Sequence, residues 1–200
     1  MFYHTSVETA QRIVRAMAEL LRVQGYTATG VQQLAQASGA PVGSIYHHFK
    51  GGKREVAAAA LRETGAAYIQ LLPLLLDQHA DLATAIEVAF ATAADDLANT
   101  GWVNMCPIGT VTGEIADTEP ELREVAAEVM TSWIDEGTRY LSARGLSGTD
   151  ARAVMYVLIT ALEGAFLVAR GQRSTEALLA AGHAIATYVA TLPVAAGSVR

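Results

Sequence analysis

Residues 29–53 read TGVQQLAQASGAPVGSIYHHFKGGK. Val31, Leu34 and Ala35 lie at helical spacing, and so do Val42, Ile45 and Phe49, so the stretch predicts two short amphipathic helices. A tight Ser38-Gly39-Ala40-Pro41 corner separates them. Gly39 permits the sharp turn, and Pro41 suits a first helical turn, where its missing N–H costs little. Thr29 is placed to cap the first helix, with Gln32 completing a capping box. Ser44, His47 and His48 point away from the apolar face of the second. This pattern is that of a helix-turn-helix whose second helix enters a DNA major groove. On this reading the DNA contacts fall on Thr29, Pro41, Val42, Gly43, Ser44, Tyr46, His47, His48 and Lys53.

Charge supports a two-part chain. The net charge of −6 is unevenly divided. Residues 1–63 carry seven basic and four acidic residues (+3), and the remainder seven basic and sixteen acidic (−9). The positive charge therefore sits with the helix-turn-helix, and the acidic part is expected to stand away from phosphate. Division is expected at 52/53: residues 1–52 for DNA, residues 53–200 for sensing and dimerisation. Two hundred residues, 52% of them hydrophobic and 17% charged, are ample for a packed core and exclude a disordered chain. One cysteine makes no internal disulfide, and no secretory signal opens the sequence, which together predict a cytoplasmic protein.

The rest of the chain reads as helices, giving an all-α fold. Thr5 and Glu8 suggest a capping box opening a helix that runs to about Gln24 and ends at Gly25. Gly51-Gly52 reads as a flexible joint. A long helix is expected over Lys53–Leu72, with Pro73 ending or kinking it. Further helices are predicted over Leu82–Ala98, a short stretch to Ala116, one opened by Asp117-Thr118-Glu119-Pro120 and running to about Arg144, Thr149–Gly171, and Ser174–Leu192. Asn99–Pro107 is the least regular segment. The apolar run 153–169 contains Glu163, so a packed helix is favoured over a membrane span. Its apolarity, with that of Ala177–Leu192, predicts a homodimer through the last two helices.

The helix-turn-helix wording resembles the tetracycline-repressor (TetR) family of bacterial regulators. Gly25-Tyr26, Thr29-Gly30-Val31, Leu34-Ala35, Ser38-Gly39-Ala40 and Ser44-Ile45-Tyr46-His47-His48-Phe49 carry the resemblance over about the first quarter of the chain. It implies a dimeric regulator of double-stranded operator DNA, answering to a small-molecule effector. Gly30 departs from the family pattern, which usually has a phosphate-contacting hydroxyl residue there. Cys106-Pro107-Ile108-Gly109, Gly51-Gly52-Lys53 and Leu162-Glu163-Gly164-Ala165 resemble a branch that represses multidrug-efflux genes, implying an aromatic or antibiotic-like effector.

Several residues keep two readings. Adjacent His47 and His48 diverge on a helix, so polar contact is preferred to metal binding. Tyr46 is either core or a phosphate ligand, the second being preferred. Lys53 and Arg54 are a solvated pair or, preferably, a phosphate clamp. Cys106 is a structural residue before it is a redox sensor. Glu163 faces solvent or meets a buried partner. Phe90, Trp102, Met105, Cys106, Met130, Trp133 and Phe166 are singly core residues; together they suggest an apolar ligand pocket. No catalytic motif, cofactor site or metal cluster is legible, so an enzyme is not expected. The rival reading is an all-α small-molecule-binding protein whose helix-turn-helix no longer binds DNA.

Overall fold

The computed structural model describes residues 2–115 and 118–194, with side chains from residue 7 onward. The described residues form ten helices and no strand: α1 (Phe2–Gln24), α2 (Val31–Ser38), α3 (Val42–His48), α4 (Gly52–Ile69), α5 (Leu71–Leu76), α6 (Leu82–Asn99), α7 (Pro107–Ile115), α8 (Pro120–Ala143), α9 (Gly148–Gln172) and α10 (Glu176–Ala190). The all-α expectation holds. The capping box expected from Thr5 involves a side chain outside the described residues, and α1 begins earlier, at Phe2. Asp117, expected to help open α8, also lies outside them.

Two compact units divide the chain: Met1–Ala66 with Met105–Val129, and Ala67–Asn104 with Met130–Arg200. They do not follow the division expected at residue 52/53. Most of α4 and the segment 105–129 belong with the N-terminal helices. The cause is close packing: a Cβ on Gly65 of α4 would stand 2.4 Å from Val129 Cγ1 of α8, so only glycine lets the two approach this closely.

In the first unit α1, α2 and α3 pack on one another, and α7 packs on α1. Ile13, Met17, Leu21, Leu34, Ile45, Leu61, Ile108, Ile115 and Leu122 are its largest fully buried side chains. Gly25 ends α1 in the left-handed region (φ 82°), as its position predicts.

The turn chemistry differs from expectation in three places. Gly30, not Thr29, is the residue flanking α2, and no side chain caps that helix. Thr29 is instead 1% exposed, its hydroxyl donating to the Gly25 carbonyl at 2.7 Å. Gly52 is no flexible joint. It is buried at φ 64°, and a Cβ there would meet Tyr46 Cε1 at 2.9 Å, so conformation and close approach both require glycine. The third difference is at Pro73: α4 ends at Ile69 and Pro73 lies inside α5. A proline clashes with the turn before it, so the break falls at Gln70 and the ring is carried in the first turn of a new helix.

In the second unit α6 packs against α10, α9 and α5, and α9 against α10. Ile86, Phe90, Leu97, Leu141, Val154, Leu178 and Ile185 belong to its core. Gly182 of α10 lies so close to α6 that a Cβ would sit 2.6 Å from Phe90 Cβ. Asp81 caps α6, accepting from Thr84 N at 2.7 Å, and Ser147 caps α9, accepting from Asp150 N at 3.1 Å. Arg144 fastens the α5–α6 connection, donating to the carbonyls of Leu76 (3.0 Å), His79 (2.8 Å) and Ala80 (3.2 Å).

Candidate nucleic-acid interface

Helix α3 buries one residue deeply and turns the others outward. Ile45 is fully buried, whereas Pro41, Gly43, Tyr46 and His47 are exposed, and Val42, Ser44 and His48 are half-buried. Pro41 is the flanking residue before α3, with φ −57° and ψ 149°. Ser44 N donates to the Pro41 carbonyl at 2.8 Å, closing the first turn. The His47 and His48 rings meet edge to face, 5.1 Å between centroids. Tyr46, 47% exposed, rests its ring on Gly52 and leaves its outer part to solvent. The surface is polar and aromatic, with no carboxylate in the seven residues of α3.

Thr29 does not share that surface. Its burial and its bond to Gly25 make it a fastener of the α1–α2 turn. Lys53 is also turned inward. Its ammonium donates to the Tyr26 carbonyl at 3.1 Å and lies 3.9 Å from the centroid of the Tyr26 ring. Burial lowers its pKa, opposed by the Glu119 and Glu114 carboxylates. Burial, then the nearby Glu119 carboxylate, pushes the Tyr26 phenol up to about 12.

The sequence's charge division is not kept by the compact units. Arg54 pairs with Glu121 at 3.0 Å and Arg62 with Glu128 at 3.1 Å. The first unit includes 105–129, so it holds eight basic against ten acidic residues, a formal charge of −2. Acids of the segment expected to be held away from phosphate thus pair with two of the N-terminal cations. The exposed cations Arg12, Arg15 and Lys50 remain on its surface. No signal in the one-dimensional charge count could have revealed this, because the acids are more than fifty residues away along the chain.

The residues expected to line an apolar pocket are distributed between the units. Phe90 belongs to the second unit's core, and Trp102 and Phe166 pack against that core. Trp133, 7% exposed, stacks on Tyr68 with 6.3 Å between centroids and planes 15° apart. Met130 is half-buried in the same unit, whereas Met105 and Cys106, both 8% exposed, belong to the first. Tyr68 was missed as a candidate; its helical register shows it on an apolar face but not beside a tryptophan. Glu163 is half-buried.

Comparison with known proteins agrees with this geometry. Residues 13–60 match the family described as bacterial regulatory proteins, tetR family. Residues 83–184, just over half the chain, match the C-terminal domain of LmrA/YxaF-like transcriptional regulators. The chain is 30% identical to the HTH-type transcriptional regulator YxaF of Bacillus subtilis over 86% of its own length and 90% of that protein. It is 27% identical to the HTH-type transcriptional regulator LmrA of the same organism, covering 86% and 92%. A TetR transcriptional regulator from Chloroflexus aurantiacus superimposes with a TM-score of 0.75 at 26% identity, covering 96% of this chain and 100% of the other. A helix-turn-helix with its polar second helix outward, followed by an LmrA/YxaF-like helical domain, makes this chain a member of the TetR family of bacterial transcriptional regulators.

Proposed function

We propose that the protein is a cytoplasmic, homodimeric repressor that binds a palindromic operator through α3 and is released by a small, largely apolar effector. The observation that carries the reading is the outward polar face of α3, with Gly43, Tyr46 and His47 exposed around a buried Ile45. Pro41, Val42, Gly43, Ser44, Tyr46, His47 and His48 supply the groove and phosphate contacts. Lys53 reaches phosphate by leaving the Tyr26 ring.

Dimerisation is supported by the outer face of α9 and α10. On α9, Tyr156 (51%), Leu167 (65%) and Val168 (45%) are exposed at helical spacing with Ala153, Thr160, Gly164 and Gly171. Nothing lies within 4 Å of a Cβ added at Gly164 or Gly171, which leaves room for a second helix. Leu179 and Tyr188 are exposed on α10. An 18-residue stretch of α9 has a mean hydropathy of 1.7 and is long and apolar enough to cross a membrane, but the helix's partly buried face and half-buried Glu163 suit a helical interface between two copies. A two-fold dimer sets two recognition helices about 34–36 Å apart, or a multiple of that.

The effector reading is supported by apolar and aromatic side chains of the second unit with few charges among them: Phe90, Trp102, Met130, Trp133 and Phe166. Functionally, residues 1–52 are assigned to DNA and 53–200 to sensing and dimerisation. The test is a gel shift on DNA upstream of the protein's own gene, repeated across a library of apolar compounds. A specific shift reversed by one compound supports the reading; no shift on that DNA or on any selected duplex overturns it.

A further inference from the structure

The turn leading into the helix-turn-helix is held from outside the helix-turn-helix. Glu114, at the end of α7, accepts from the backbone N–H of Tyr26 at 2.7 Å and from that of Thr27 at 3.0 Å. Its carboxylate fills the space beside Gly25, where an added Cβ would stand 1.6 Å from Glu114 Oε1. A second tie lies at the other end of the same segment, where Met105 N donates to the Arg22 carbonyl at 3.2 Å. Two further bonds run from this turn towards the DNA-reading surface. Thr29 is bonded to the Gly25 carbonyl, and α2 starts two residues later. Lys53, at the start of α4 and one residue from the Gly52 on which Tyr46 rests, is bonded to the Tyr26 carbonyl.

We propose that Glu114 is a positioning residue for DNA recognition: it fixes the α1–α2 turn, and through it the placement of α2 and α3, without touching DNA. This rests on the DNA-binding reading above. The sign of the effect separates it from plain electrostatics. Removing an acid from a DNA-binding unit strengthens binding by charge alone, at every sequence. A positioning residue does the opposite, and only for the sequence that correct placement reads. Glu114 is exposed, so its loss leaves the buried core in place.

The experiment uses the full chain and two variants, Glu114→Ala and the nearly isosteric Glu114→Gln, which keeps one acceptor oxygen. Wild-type protein first selects a duplex from a random pool, and an unrelated duplex of equal length serves as reference. Operator affinity is expected to fall about tenfold in Glu114→Ala and less in Glu114→Gln, with the unrelated duplex bound as tightly as before or slightly more so. The salt slope stays unchanged, because no phosphate contact is lost. Tyr26 and Thr27 amide hydrogens exchange faster in both variants, while the thermal midpoint holds. Equal or tighter operator binding by both variants overturns the inference, and so does an equal loss on both duplexes. If Glu114→Ala does not fold, Glu114→Gln decides alone. A wild-type protein that selects no duplex overturns the DNA-binding reading and this inference with it; one that selects a duplex both variants bind equally well overturns this inference only.

Discussion

The outer faces of α3 and α9 are built in opposite ways. On α3 the exposed groups are short, polar or amphipathic (Gly43, Tyr46, His47), and what lies behind them is fastened atom by atom: Tyr46 on Gly52, Thr29 to Gly25, Lys53 to Tyr26, Glu114 to two backbone N–H groups. On α9 the large exposed groups of the outer face (Tyr156, Leu167, Val168) are apolar or amphipathic, and the helix is held from behind by core packing of Ala151, Val154, Met155, Ala165 and Ala169. A polar face stays wet until it meets a polyanion, and geometry decides what it reads. An apolar face is stable only when covered, and area decides how tightly. The first unit is therefore expected to be sensitive to direction-dependent contacts and the second to volume.

The largest effect should come from the packed side of that contrast. Ile86 is 1% exposed in the second unit's core. Ile86→Ala removes buried methyl groups and leaves a cavity, which is expected to cost about 2–5 kcal/mol. Urea unfolding followed by circular dichroism measures it. A loss under about 1 kcal/mol would mean that this core is looser than its burial implies.

The next effect concerns the uncovered side of α9. Leu167 is 65% exposed, so Leu167→Glu should barely disturb the folded protomer. In a dimer it buries a charge against apolar side chains, and a rise in the dimer dissociation constant of at least about a hundredfold, near 3 kcal/mol, is expected. Sedimentation over a concentration series reads this out. An unchanged constant would exclude this face of α9 from the proposed dimer interface.

The different origins of the two faces also explain what the sequence could show. Helical periodicity depends on nearest-turn neighbours, so the recognition helix, its Gly39 corner, the irregular Asn99–Pro107 segment and the last helices were legible from the residues themselves. Boundaries were misread where a side chain had two uses. Thr29 has the chemistry of a cap, yet a buried bond to Gly25 takes its hydroxyl. Gly51-Gly52 has the composition of a joint, yet Tyr46 packs on Gly52 and Glu55 accepts from Gly51 N at 2.7 Å. The pairing of Glu114 with Tyr26 spans 88 residues and leaves no periodic trace. The same holds for Glu121 with Arg54 and Glu128 with Arg62, which is why a charge count along the chain misassigned the acidic segment.

Alkaline pH tests a smaller effect, carried by one phenol in each unit. Tyr26 is buried beside Glu119, and its pKa is raised from 10.0 to about 12. Burial, with a hydrogen bond to Asp77 at 2.6 Å, raises Tyr140 from 10.0 to about 12 as well. Between those values the unfolded chain loses the proton while the folded chain keeps it, so stability falls as pH rises from 10.0 towards about 12. Tyr26→Phe and Tyr140→Phe should each flatten that fall in urea titrations between pH 9 and 11.5. A slope identical to wild type in both variants would show that neither phenol keeps its proton in the fold.

The smallest effect is expected from the ion pairs, which is what distinguishes the first unit's fastening from mere charge balance. Arg62 and Glu128 meet at 3.1 Å, but their side chains are 54% and 63% exposed. In water at that exposure the attraction is screened, and two long side chains lose freedom to form it. A double-mutant cycle with Arg62→Met and Glu128→Gln should give a coupling of about 0.2–1 kcal/mol, shrinking in high salt. The Glu114 bonds differ because their acceptor meets two fixed backbone donors, one of them part-buried, rather than a mobile cation. A salt-resistant Arg62–Glu128 coupling above about 2 kcal/mol would reverse that ranking. Charge pairing between α4 and α8 would then be what holds the first unit together, with the α1–α2 turn following from it.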